Sequence, residues 1–225
     1  DRWFGSKQAP AAGMLAGKLC RAFESSVLHD AMGEKENGLL LRWDTPTRCW
    51  QPQLQALPAD GRPVVLFLHG TASSTEGSFG SLHQGAKGDR DLPDDFAALA
   101  KRCALLAWEH RSLTCSPVAN ALGLANALAT ALPHQATLHL VSHSRGGMVG
   151  DLLCIGLQGK QEQTVLHDQA VFHSLLHDFY PEADNHPDQP LVNDLCDALL
   201  KIAHLNPGTF VRVASPSRGT LLADR

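Results

Sequence analysis

Ser144 lies in a sequence setting that could make its hydroxyl a nucleophile. It follows the mostly apolar run 138–141, and Gly146 and Gly147 come two and three residues later. In the pattern G-x-S-x-G, a strained strand-to-helix turn exposes the central serine, and small residues on either side let strand and helix approach closely. Ser142 stands here where the pattern has its first glycine. The spacing makes Ser144 the candidate nucleophile.

The turn alone is a weak indication, because serine and glycine are common turn residues. An ordinary strand-to-helix turn is the competing interpretation of Ser144. A nucleophile elbow also requires a helix after the serine and an earlier strand that ends beside a backbone donor. Residues 64–68 are apolar and are closed by Gly70, which predicts a buried parallel strand and then a flexible loop, while residues 146–155 can form the helix.

The elements around these residues alternate between strand and helix. This order predicts an α/β fold with a mostly parallel sheet of about six strands and helices on both faces. Residues 71–95 are polar and glycine-rich, which predicts a long loop at the mouth of a site. Helices are predicted at 11–23, from a cap at Asp94 or Asp95 to Arg102, from Ser116-Pro117 onward and at 191–203; strands are predicted at 39–43 and 49–50 as an antiparallel pair, at 104–108 and at 209–214.

We divide the chain at residue 60. Residues 1–60 are predicted to form an N-terminal helix and sheet-edge strands, and residues 61–225 an α/β core. A stretch rich in histidine and aspartate, residues 158–190, predicts a cap-like insertion. The chain starts without Met and ends soon after a strand, so we expect a piece of a longer polypeptide whose core is incomplete at the C-terminal end.

Composition excludes several classes of function. The 225 residues are 44% hydrophobic and carry a formal net charge of -4 with no long basic run, which argues against a nucleic-acid groove or a polybasic membrane patch. No apolar stretch is long enough to span a membrane, and no signal peptide is evident, so a soluble cytoplasmic location is predicted. The cysteines form no C-x-x-C pair and are predicted to be reduced and buried: Cys20, Cys49, Cys103, Cys115, Cys154 and Cys196.

Three blocks, in this order, resemble the α/β-hydrolase superfamily and, within it, the lipase-like branch. They are His69-Gly70-Thr71 after a strand, residues 142–147 at the elbow, and residues 215–220, which resemble the TPHRG loop of lipases. The chain is also similar to an uncharacterised hydrolase-like domain of large bacterial multidomain proteins, some with caspase-like protease modules, in which residues 108–111 and Ser116-Pro117 recur. The resemblance covers roughly residues 60–225.

The resemblance implies acyl transfer, in which Ser144 attacks the carbonyl carbon of an ester or amide. The oxyanion would be held by the backbone N–H groups of Arg145 and of Thr71 or its neighbour. His69 and Gly70 would shape the oxyanion loop, and His143 would pack or form hydrogen bonds beside the elbow. The expected substrate is a small ester or a lipid, adjacent domains of the same polypeptide are expected partners, and no cofactor or metal is predicted.

A serine needs a histidine base that a carboxylate orients, and in this fold the chain order is serine, acid, histidine. Asp224 lies just past the last predicted strand and is the candidate acid, although an aspartate at this place after the loop is more often structural. Three explanations of the incomplete triad compete: the chain ends before the acid and base, the insertion supplies His173 or His177, or the domain is catalytically dead. We favour the first. All histidines after Ser144 precede the last predicted strand: His167, His173, His177, His186 and His204.

Other readings of these residues stay open. Arg145 could pair with Glu109 or Asp151 or could recognise substrate. Residues 109–111 end a strand, where open α/β sheets bind ligands, but they could also be solvated charges. The His173-x-x-x-His177 spacing, with His167 and Asp168, could bind a metal, yet a solvated lid is the interpretation we prefer. The second function class is a non-catalytic binding or scaffold module, for which no histidine need reach the Ser144 hydroxyl.

Overall fold

The computed structural model describes residues 17–24, 26, 38–84, 93–158 and 190–215. Six strands lie in these ranges: β1 (Leu39–Asp44), β2 (Cys49–Pro52), β3 (Val64–Leu68), β4 (Ala104–Glu109), β5 (Thr137–His143) and β6 (Asn206–Val213). They form one sheet in the order β2-β1-β4-β3-β5-β6, with β3 to β6 parallel and β1 antiparallel to β2 and β4. The predicted α/β class with a mostly parallel sheet of six strands is confirmed.

Helices occupy the connections between the strands. The prediction of a loop at 71–95 is wrong in part, because a short helix and a 3₁₀ turn lie within this range. Residues 85–92 of the range lie outside the described residues. The predicted strand at 209–214 begins earlier, at Asn206. The helices are α1 (residues 17–24), α2 (Thr75–Phe79), α3 (Asp94–Arg102), α4 (Pro117–Ala131), α5 (Gly146–Gln158) and α6 (Leu191–Ile202), and the 3₁₀ turn is Gly80–Leu82.

The strand order decides on which face each helix packs. The step from β3 to β4 runs in one direction along the sheet, whereas the steps from β4 to β5 and from β5 to β6 run in the other. Right-handed crossovers in opposite directions place their helices on opposite faces. Accordingly, Phe79 of α2 and Phe96 of α3 pack with Phe67 in one core, while α4, α5 and α6 pack with Leu66 and Trp108 in a larger core on the other face.

The start of α4 follows the predicted capping pattern, but the start of α3 does not. The Ser116 hydroxyl accepts a hydrogen bond from the Ala119 N–H at 3.1 Å, and Pro117 takes the first helical position. At α3 the capping position is Pro93, which has no side-chain cap. Asp94 and Asp95 lie instead in the first turn, where their charges favour the positive end of the helix dipole.

All six cysteines are free thiols, but the expectation that they are buried is wrong for five of them. Only Cys196 is buried, and the others are partly exposed.

β1 and β2 belong to the same sheet as the later strands, as expected for sheet-edge strands. The division at residue 60 stays a prediction, and 159–189 of the predicted insertion lies outside the described residues. Within the described ranges, no helix combines the length and apolar character needed to cross a bilayer.

Candidate functional site

The candidate site lies where the carboxyl ends of β3 and β5 meet. These neighbouring strands are in register, with Leu68 opposite Ser142, so the residues that follow them lie side by side. The chain leaves β3 toward one face of the sheet and leaves β5 toward the other. In open α/β sheets, the point where the chain reverses direction in this way is the usual position of a ligand.

Ser144 occupies a strained turn between β5 and α5. Its φ is +51°, in the left-handed region that a residue with a Cβ adopts at a cost of about 1–2 kcal/mol. Its N–H donates to the Val213 carbonyl of β6 at 2.9 Å, and its own carbonyl accepts from the Gly147 N–H at 3.0 Å. The structure thus places Ser144 at the predicted strand-to-helix turn.

Two glycines allow the close approach around this turn. A Cβ on Gly146 would lie 2.3 Å from the Leu68 carbonyl oxygen, so α5 starts directly against the end of β3. A Cβ on Gly70 would lie 2.8 Å from the Ser144 Cβ. Ser142, which replaces the pattern's first glycine, is fully buried, and its Oγ lies 3.2 Å from the Ser215 Oγ.

Three N–H groups between the end of β3 and the start of α2 already have acceptors, the first being the Gly70 N–H, which donates to the Ser78 Oγ at 3.5 Å. The Ala72 N–H donates to the Ser112 Oγ at 2.9 Å, and the Thr75 N–H donates to the Glu109 carboxylate at 3.1 and 3.2 Å. Among the described residues, the Thr71 N–H has no hydrogen-bond acceptor, whereas the Ala72 N–H donates to Ser112. Of these two N–H groups, the described part of the chain therefore leaves that of Thr71 for a ligand.

His69 and Glu109 form a buried pair beneath this loop. They are 0% and 3% exposed, and His69 Nε2 lies 2.9 Å from Glu109 Oε1. His69 Nδ1 lies 3.0 Å from the Gly70 carbonyl oxygen. The His110 N–H also lies 3.2 Å from Nε2, but a ring nitrogen facing a carboxylate must carry the proton, so we assign the donor to His69. With both ring nitrogens engaged, His69 cannot serve as the base, in agreement with its predicted structural role.

His110 is also fully buried, and its ring stacks on His69 with centroids 4.0 Å apart. Burial, reinforced by the neighbouring His69, holds the pKa of His110 well below its usual value of 6.5. Its Nδ1 donates to the Trp108 carbonyl at 3.1 Å. The reading of residues 109–111 as solvated charges is wrong for Glu109 and His110.

Arg145 joins the elbow to the loop that follows β4. Its guanidinium donates to the carbonyl oxygens of Ser112 at 2.6 Å and Cys115 at 2.8 Å. The predicted ion pair with Glu109 or Asp151 is wrong: Glu109 faces His69, and Asp151 pairs with Arg212. The side chain of Arg145 braces the structure around Ser144.

No histidine in the described part of the chain hydrogen-bonds the Ser144 hydroxyl. His143 Nδ1 lies 3.4 Å from the Ser78 Oγ, beside the β3 loop. The His204 ring packs on His134, next to the amino end of β5 and so at the far end of the sheet. The candidate acid Asp224 and four of the five histidines that follow Ser144 lie outside the described residues: His167, His173, His177 and His186.

The nearby thiols are not activated nucleophiles. Burial, followed by the Glu24 carboxylate, raises the pKa of the Cys115 thiol. Burial, followed by Asp151, raises the pKa of Cys154 to about 11. Because the thiolate is the reactive form, both side chains are nearly unreactive at neutral pH.

Two residues that support the site were not identified from the sequence. The Glu24 carboxylate of α1 is buried and accepts hydrogen bonds from the backbone N–H groups of Leu113 and Thr114, in the loop after β4. Ser112, in the same loop, holds the β3 loop through Ala72. Each contact joins residues at least 40 positions apart, and no local pattern encodes such a contact.

Comparison with known protein families finds a match over the part of the chain that contains this site. A family model described as a domain of unknown function, DUF7379, matches residues 39–179, which is more than half of the chain. The chain belongs to the DUF7379 family. The matched DUF7379 region contains β1 to β5, the β3 loop, Glu109 and the Ser144 turn. Among curated proteins no match to the chain is found.

Proposed function

We propose that this chain is a serine hydrolase of the lipase-like α/β-hydrolase branch and that it cleaves carboxylic esters of small or lipid substrates. One observation carries the proposal: Ser144 sits at a left-handed turn between β5 and α5, directly against Gly70 of the β3 loop. A strained turn of this kind presents a serine hydroxyl at the edge of the sheet. The proposal is also supported by the mostly parallel sheet with helices on both faces, which is the architecture that a strand-to-helix nucleophile turn requires.

The reaction would begin when the Ser144 oxygen attacks the ester carbonyl carbon while its proton passes to a histidine base. The negative charge that develops on the carbonyl oxygen would be stabilised by the N–H groups of Thr71 and Arg145. Collapse of the tetrahedral intermediate breaks the ester C–O bond, and the same proton leaves with the alcohol. Water then hydrolyses the acyl-enzyme by the same steps. The base and acid would come from parts of the polypeptide outside the described residues.

The second candidate function is a non-catalytic module that binds a ligand or a partner within a larger cytoplasmic protein. The observation that favours it is the lack, among described residues, of a histidine bonded to the Ser144 hydroxyl. Under this proposal the buried polar residues near the elbow serve only the fold.

A fluorophosphonate probe, which labels only activated serines, separates the two functions. We expect labelling of the folded protein that is lost in Ser144→Ala and kept in Ser81→Ala, a change to an exposed serine in the 3₁₀ turn. Labelling of a longer polypeptide but not of the 225-residue chain would place the base outside these residues. If neither protein is labelled while both are folded, the hydrolase proposal fails and the binding module remains.

A further inference from the structure

Glu109 holds both ends of the loop that carries Thr71. Its carboxylate lies 2.9 Å from His69 Nε2 and accepts the Thr75 N–H at 3.1 and 3.2 Å. His69 and Thr75 flank residues 70–74, so a single side chain fixes the loop where it leaves β3 and where α2 begins.

This carboxylate cannot easily exchange its partners for water. Glu109 is only 3% exposed, and a buried charge is stable only when hydrogen-bond donors surround it. Movement of the loop would leave the buried carboxylate without its hydrogen-bond donors. The burial of Glu109 therefore keeps residues 70–74 in place.

The loop after β4 also links the two proposed oxyanion donors. Ser112 accepts the Ala72 N–H through its hydroxyl and accepts the Arg145 guanidinium through its carbonyl. Thr71 and Arg145 are therefore braced by the same segment, which starts at Glu109.

We propose that Glu109 is a positioning residue that sets the Thr71 N–H at the distance from Ser144 that the transition state requires. This inference rests on the proposed hydrolase function. A backbone donor stabilises the oxyanion selectively only when it is fixed before charge develops. Releasing the loop should therefore lower kcat and leave KM nearly unchanged.

Thr75→Pro removes the N–H that Glu109 accepts while leaving the carboxylate intact. Thr75 is the first residue of α2, where proline is favoured, and the preceding Ser74 has the extended backbone, φ -132° and ψ 173°, that proline requires. Thr75→Val keeps the N–H and serves as the reference for the lost hydroxyl. Glu109→Gln weakens the clamp from the other side, and Glu76→Gln, an exposed change on α2, is its matched control.

The measurement is steady-state hydrolysis of p-nitrophenyl butyrate by unlabelled protein, in the form (the 225-residue chain or the longer polypeptide) whose Ser144 the fluorophosphonate probe shows to be activated, with thermal unfolding to confirm that each variant is folded. We expect kcat of Thr75→Pro to fall roughly 10–100-fold below that of Thr75→Val, with KM changed less than about 3-fold. Glu109→Gln should also lower kcat with little change in KM, whereas Glu76→Gln should change neither constant. The double variant Thr75→Pro/Glu109→Gln should have a kcat no lower than that of the less active single variant.

Equal kcat values for folded Thr75→Pro and Thr75→Val would overturn the role of Glu109 while the hydrolase function stands. A rise in KM with unchanged kcat would also overturn it, because the clamp would then act on ground-state binding. If the wild-type protein shows no Ser144-dependent labelling or hydrolysis, the proposed function fails, and this inference fails with it.

Discussion

At the scale of single residues, the space around Ser144 is limited by the close approach of two backbone segments that contain glycine. The α5 amino end meets the end of β3 at Gly146, and the β3 loop meets Ser144 at Gly70. Backbone carbonyls in a parallel sheet cannot shift without breaking the ladder that holds them. Small residues are therefore required at these two positions for the turn to exist.

Gly146→Ala tests this restriction. The added Cβ would lie 2.3 Å from the Leu68 carbonyl oxygen, so we expect a loss of about 1–3 kcal/mol in the free energy of unfolding. The control is Gly17→Ala in α1, where an added Cβ has no atom within 4 Å and alanine favours helix. Urea unfolding of both variants gives the comparison, and equal stability of Gly146→Ala and wild type would contradict the close approach.

His110 should make the protein less stable in mild acid. Burial lowers the pKa of folded His110 well below the value of 6.5 in the unfolded chain, so the unfolded state binds the proton more tightly. The contribution of His110 to the free energy of unfolding is complete above pH 6.5, and it decreases as the pH falls through and below that value. Between pH 7.5 and pH 5.5 the free energy of unfolding should therefore decrease because of this group.

The check is the difference in pH dependence between wild type and His110→Gln. Glutamine does not titrate, so the free energy of unfolding should decrease less between pH 7.5 and pH 5.5 in His110→Gln than in wild type. Identical pH slopes for the two proteins would show that His110 is accessible to protons in the folded state.

At the scale of elements, a helix cap fixes where α4 begins, and strand register aligns the strand ends that build the site. α4 begins at a serine cap followed by proline, and it packs across β3 and β4 in the larger core. Because β3 is in register with both β4 and β5, His69, Glu109 and His143 follow at the same level of the sheet. The buried His69–Glu109 pair is a direct result of this alignment.

Ser116→Ala should weaken α4. The Ser116 hydroxyl satisfies the Ala119 N–H, and loss of such a cap typically lowers stability by about 1 kcal/mol. Ser116→Asp, which can accept the same hydrogen bond, should restore most of the loss. Thermal and urea unfolding of the two variants measure the effect, and an unchanged midpoint for Ser116→Ala would argue against the cap.

At the scale of the whole molecule, one sheet contains strands from both sides of residue 60. β1 pairs with β4, and Leu39, Leu41 and Trp43 are buried in the smaller core together with Phe67. The first 60 residues thus supply one wall of the core on the α3 face. This core lies beneath the loop that carries Thr71.

A chain that starts at residue 61 should therefore lose cooperative stability. Its β4 would have an open edge, and the buried side chains of the smaller core would face water. We expect a much lower unfolding midpoint, or no cooperative transition, compared with residues 1–225. The measurement is circular dichroism on heating, and equal midpoints for the two chains would support an independent unit from residue 61.

The sequence by itself determined the order of elements, the class of the fold and the position of Ser144 at a turn. These features depend on local properties: apolar runs, the Ser116-Pro117 cap and small residues around Ser144. The helix at Thr75–Phe79 was missed because its residues are polar and glycine-bearing, and its start depends on the Ser74 cap.

Only the tertiary structure decided which polar groups meet. The Glu109 clamp on His69 and Thr75, the Ala72–Ser112 bond and the Glu24 contact each join residues that are far apart in the chain. Pairing of this kind depends on sheet order and register, and it depends on burial that makes an unpaired charge unfavourable. Nothing in the spacing of these residues encodes that geometry. From the sequence, Arg145 could pair with Glu109 or Asp151 or recognise substrate, whereas its guanidinium donates to the carbonyl oxygens of Ser112 and Cys115.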